Sequence, residues 1–91
     1  MAHIKSEDDA LVKRAPRIAG QIAAIERALV TSDDCTTTTH MVAATRGAIN
    51  GLMDEIIEAH VREHVAHPEL SDAERTAGAE DLITAISRYS K

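Results

Sequence analysis

Aromatic side chains are all but missing from this sequence: Tyr89 stands alone, with no tryptophan and no phenylalanine. Aromatic rings bury the largest areas in protein cores, so these 91 residues can build only a thin core of Ile, Leu, Val, Met and Ala. A domain this small buries a modest share of its surface. The expectation is a single domain, residues 1–91, that exists as an obligate homo-oligomer. Cysteine is just as scarce. Cys35 has no partner for an internal disulfide, which points to a reducing, cytoplasmic setting. No apolar leader opens the chain, and no run approaches the roughly 18 apolar residues of a membrane span. Neither secretion nor a membrane partner is expected. Basic charge is short as well, with 10 Lys and Arg against 15 Asp and Glu. The resulting formal charge of -5 argues against a generally basic nucleic-acid binder, though not against a local patch.

What is present is helical periodicity, and no strand pattern accompanies it. A first helix is predicted from near Ser6, where Ser6 and Asp9 have capping-box spacing. Its apolar residues, Leu11, Ala15, Ile18, Ile22, Ile25 and Leu29, step alternately by four and three, as a heptad seam does. Pro16 lies inside it and should either kink the helix or mark where its regular part begins. Thr31 to Asp34 break the pattern and offer N-caps. A second helix is predicted from Cys35 to His67, stopped by Pro68, with a weak start in the β-branched run Thr36 to Thr39. Val42, Ile49 and Ile56 recur every seven residues along it, beside Leu52, Met53 and Ile57. At 1.5 Å per residue it is roughly 45 to 50 Å long, more than so small a subunit can wrap alone. It should pair with a second copy of itself. The third helix opens at Ser71, in a capping box with Glu74. Leu82, Ile83, Ile86 and Tyr89 form its apolar face, and Gly78 weakens its middle. The fold class is all-α, a three-helix subunit.

His60 and His64 stand four residues apart, which stacks two imidazoles on one helix face within reach of one metal ion. Cys35 adds a thiolate, and thiolate with imidazole suits nickel, cobalt, zinc or copper rather than magnesium or calcium. Cys35 and His60 are 25 residues apart on one predicted helix, roughly 37 Å by helical rise. They meet only if two copies pack antiparallel, with the axis between Gly47 and Ala48. The residues there, Ala43, Ala44, Gly47, Ala48 and Gly51, are small enough for two backbones to approach closely. The N-terminus is a further source of nitrogen. Removal of Met1 before Ala2 leaves His3 second, where amine, amide and imidazole can chelate one ion. Additional nitrogen ligands favour six-coordinate nickel or cobalt over copper(I). His67 and Glu63 are auxiliary candidates, and His40 is turned away, either at the surface or behind the ligands.

The basic residues collect in one stretch: Lys13, Arg14, Arg17 and Arg27 face a single acid, Glu26. Repeated by oligomer symmetry, such a patch can neutralise several phosphates. There is no plausible nucleophile–base pair outside the metal candidates and no aromatic pocket, so an enzyme is not expected.

These segments resemble the CsoR/RcnR family of metal- and aldehyde-responsive bacterial repressors. The matching stretches are KRAPRIAGQIAAIERAL at 13–29, Cys35, and VAATRGAINGLMDEIIEAHVREH at 42–64. The resemblance implies an antiparallel four-helix-bundle dimer and a disc-shaped tetramer built as a dimer of dimers. It also implies operator DNA bound through basic residues of the first helix, here Arg14 and Arg17 with Lys13. Within the family, copper(I) members carry a second cysteine where this chain has His64, and persulfide sensors need two cysteines. Formaldehyde sensors are similar at Cys35 and His60 but have proline after Met1, where this chain has Ala2. The nickel/cobalt branch uses His3, Cys35, His60 and His64, and all four are present. The implied function is a repressor released from operator DNA by nickel or cobalt, with zinc as a further ion. The rivals are a formaldehyde-responsive repressor using Cys35, and a metal-binding helical protein with no DNA role. Pro16 departs from the family pattern, directly between Arg14 and Arg17.

Overall fold

The computed structural model describes residues 9–31 and 34–89. Three helices account for nearly all of them: α1, Asp9–Thr31; α2, Cys35–His64; and α3, Asp72–Tyr89. No strand occurs among the described residues. The Ser6 half of the expected first cap lies outside the described residues. α1 runs on both sides of Pro16, which stands in its second turn, so the regular helix does not begin there.

Two compact units divide at residue 54. In the first, residues 7–54, α1 and the leading part of α2 form a helical hairpin. Asp34 starts α2. Its Oδ1 accepts the amides of Thr36 and Thr37 at 3.0 and 3.3 Å, and its Oδ2 accepts the Thr37 hydroxyl at 2.6 Å. The threonine run that looked weak for helix is thus anchored by its cap. Thr38 and Thr39 turn their hydroxyls back on the carbonyls of Asp34 and Cys35, a bond that β-branched threonine makes readily in a helix. The buried positions of this unit are Leu11 and Thr45, whose hydroxyl bonds the Met41 carbonyl at 2.8 Å.

In the second unit, residues 55–91, the rest of α2 packs against α3. α2 ends at His64, three residues short of the expected His67. The ring of Pro68 excludes the carbonyl four residues back, which is that of His64, and disfavours a helical conformation at His67. Beyond His64 the bonding loosens, with the Ala66 amide reaching back to Val61 at 2.7 Å. Arg75 then gathers the turn. Its guanidinium donates to the carbonyls of Val65, His67 and Leu70 at 2.5, 3.3 and 3.2 Å. The predicted capping box is formed: the Glu74 amide donates to Ser71 Oγ at 3.1 Å, and the Ser71 amide to Glu74 Oε1 at 2.8 Å.

Both cap carboxyls are held below their ordinary range. The Thr37 hydroxyl, followed by the Thr37 and Thr36 amides, lowers Asp34, and the Ser71 amide and hydroxyl lower Glu74. A depressed folded pKa stabilises above the unfolded value and is lost as pH falls through the folded one. The starts of α2 and α3 should therefore loosen in acid. In an NMR titration the Thr36 and Thr37 amides should follow a midpoint below 3.8, and the Ser71 amide one below 4.5. Midpoints at or above those values would contradict the caps.

Candidate metal centre and DNA-contact residues

His60 and His64 lie on one face of α2, with ring centroids 5.1 Å apart and planes inclined by 44°. Both are half-buried. His60 Nε2 lies 2.8 Å from the carbonyl of Gly78 on α3. A carbonyl only accepts, so Nε2 carries the proton and the neutral ring keeps its lone pair at Nδ1. Glu63 brings Oε2 to 3.7 Å from His64 Nε2, leaving a carboxylate beside the histidine pair. His67 is arranged differently. Its Nδ1 accepts the Glu69 amide at 3.1 Å, which ties that lone pair to the turn before α3. His40 is exposed, as expected for a residue turned away.

Cys35 opens α2 with an exposed side chain. It lines a groove of about 620 Å³ together with Leu29 of α1 and Val42, Ala43 and Arg46 of α2. Cys35 and His60 occupy the same helix, as expected, 25 residues apart. Among the described residues, no group of three or more His, Cys, Asp or Glu side chains within one chain is placed to hold a metal ion. His3 lies outside the described residues.

Of the basic candidates on α1, Lys13 and Arg17 are exposed, whereas Arg14 is half-buried. The Arg14 guanidinium lies over Gly51 of α2, where an added Cβ would meet Nη1 at 2.5 Å. Gly51 thus provides a bare stretch of helix on which the arginine rests. Two contributors escaped the sequence reading. Gly78 is buried against α2, where a Cβ would overlap the His64 carbonyl; it is a contact point and not merely a weak spot in α3. Arg75 closes the α2–α3 turn. A glycine inside a helix was the available signal for close approach, but nothing local names its partner.

The two imidazoles and the carboxylate on this face of α2 are donor types that suit a borderline-soft transition metal. Known proteins point the same way. Residues 7–88 match the metal-sensitive transcriptional repressor family. The chain belongs to this family. It is 33% identical to the transcriptional repressor RcnR of Citrobacter koseri and 32% identical to that of Salmonella typhimurium, each time over the full length of both chains. A protein of Serratia marcescens from the bioA 5' region is 40% identical, again over both full lengths. Among solved structures, a variant of the formaldehyde-responsive regulator FrmR from Salmonella enterica serovar Typhimurium superposes with a TM-score of 0.85. That match has 32% identity and covers 97% of this chain and 99% of the other. The three-helix fold is therefore that of a repressor family, not of an enzyme family. No helix among the described residues is long and apolar enough to cross a membrane.

Proposed function

We propose that this protein is a cytoplasmic repressor that holds operator DNA in its metal-free form and releases it when nickel or cobalt binds between subunits. The observation that carries the reading is the His60–His64 pair, with rings 5.1 Å apart on α2 and the exposed Cys35 at the other end of that helix. In an antiparallel α2 pair, Cys35 of one subunit stands opposite His60 and His64 of its partner. His3 with the amino terminus is the fourth donor. Zinc satisfies the same ligands.

The assembly has its own support. Val42, Ile49 and Ile56 are 48%, 42% and 41% exposed in the single chain, and a Cβ at Gly47 would meet nothing. That row and that open backbone fit a second α2 laid across them, with two such dimers forming a tetramer. Lys13, Arg14 and Arg17 are the DNA contacts, and their repetition by symmetry offsets the chain's acidic balance.

A second reading, a formaldehyde-responsive repressor using Cys35, is favoured by the likeness to FrmR and by the exposure of the thiol. Gel shifts on the neighbouring promoter, with nickel, cobalt, zinc, copper(I) and formaldehyde in parallel, separate the readings. Release by nickel or cobalt alone is expected. Release by formaldehyde and by no metal would transfer the function to the second reading. Replacing Arg14 and Arg17 with Ala should abolish the shift while leaving metal affinity intact. A wild-type protein that binds no such fragment would indicate metal storage instead.

A further inference from the structure

Lys13, Arg14 and Arg17 share one stretch of α1 and differ in their surroundings. Lys13 and Arg17 stand exposed, while Arg14 is half-buried. The Arg14 guanidinium is laid on α2 at Gly51, where an added Cβ would come to 2.5 Å from Nη1 and 3.8 Å from Cζ. A Cβ at Gly47, about one turn earlier on the same helix, would meet nothing within 4 Å. The two glycines therefore differ in use: Gly47 leaves backbone open, and Gly51 is already covered from within its own chain. A guanidinium is flat and carries its N–H donors along its edge. Its face can rest on a bare α-carbon while the edge makes hydrogen bonds. Any side chain at position 51 would lift it away.

We propose that Gly51 is a positioning residue for DNA binding: by carrying no side chain, it lets α2 hold the Arg14 guanidinium in one place before DNA arrives. An arginine ordered in advance gives up less rotamer freedom when it meets a phosphate or a base edge. Lys13 and Arg17, being exposed, supply charge without that support. The inference rests on the reading of Arg14 as a DNA contact. It adds that this contact is set by α2 as well as by the helix that carries it.

The test is Gly51→Ala in the full-length, metal-free protein, with the neighbouring promoter fragment as the probe. The atoms a Cβ meets there lie at the end of a flexible side chain, and alanine is the better helix former. The variant should therefore melt no lower than wild type. It should nonetheless bind the fragment roughly 10-fold more weakly, the scale of the freedom an arginine side chain regains. Because the charge is kept, the salt dependence of binding should match that of wild type. Arg14→Ala should instead reduce the salt slope by about 1 for each copy engaged. In an Arg14→Ala background, Gly51→Ala should cost nothing further. Wild-type affinity in Gly51→Ala, or an equal loss on top of Arg14→Ala, overturns the inference. If Arg14→Ala itself binds like wild type, the inference falls with the reading of Arg14 as a DNA contact, and the cause is identified. Should Gly51→Ala fail to fold or assemble, proton exchange at Nε in 15N-arginine-labelled wild-type protein decides. Exchange at Arg14 slower than at Arg17 is expected, and equal rates refute the support by α2.

Discussion

Ile49→Glu is expected to leave the protein unassembled and largely unfolded. Among the described residues Leu11 is the one buried hydrophobic side chain, at 8% exposure. Val42, Ile49 and Ile56 remain open along α2, so little of the chain's apolar surface is covered in the single subunit. Burying one such side chain fully contributes about 1.5 to 3 kcal/mol, and twofold symmetry counts each of them twice. A carboxylate at position 49 forfeits that contribution. In the proposed dimer it would also lie close to the twofold axis between residues 47 and 48, where the two introduced charges would face each other in a dry seam. Over two subunits the lost burial comes to about 3 to 6 kcal/mol, comparable with the roughly 5 to 15 kcal/mol of a typical domain before the charges are counted. Sedimentation equilibrium and far-ultraviolet circular dichroism read the result. A variant with wild-type mass and helix content would remove the α2 seam from the assembly.

The second large effect concerns ownership of the ligands. Neither Cys35→Ala nor the double variant His60→Ala/His64→Ala should respond to cobalt. Each ought to lose at least the roughly 100-fold in affinity that marks the upper range for outer partners. Mixed and reassembled, the two proteins should recover part of the response. A heterodimer has one site lacking Cys35, His60 and His64 together and one with Cys35 from one chain and both histidines from the other. With random reassortment about a quarter of all sites are restored. The thiolate-to-cobalt charge-transfer band, absent from both parents, reports them. No band in the mixture would mean that Cys35 does not meet the partner's histidines.

The legible parts of this molecule were those set by neighbours in sequence. The Ser71–Glu74 box closes within one turn, and its hydrogen bonds are those expected of the spacing. His60 and His64 share a face because four residues make about one turn, and the rings do lie together. α2 ends at His64, earlier than a stop at Pro68 itself predicts. Its steric effect reaches back four residues, to His64. Gly78 and Arg75 were not legible at all, since both act where one helix meets another element. A glycine in a helix reads as a weakness until the carbonyl opposite it is known. The threonine run was a different matter. Low intrinsic propensity there is outweighed by one aspartate, which accepts two amides and a hydroxyl.

The single aromatic residue has a practical consequence. Tyr89 is the last residue of α3, 48% exposed, and there is no tryptophan anywhere to mask its emission or accept its energy. The intrinsic fluorescence of the protein is consequently the optical signature of one helix. Quenching or anisotropy at tyrosine wavelengths follows the C-terminal end of α3 in the unlabelled protein, one fluorophore per subunit. That signal can be read during a metal titration or an operator titration alike, without any dye attached.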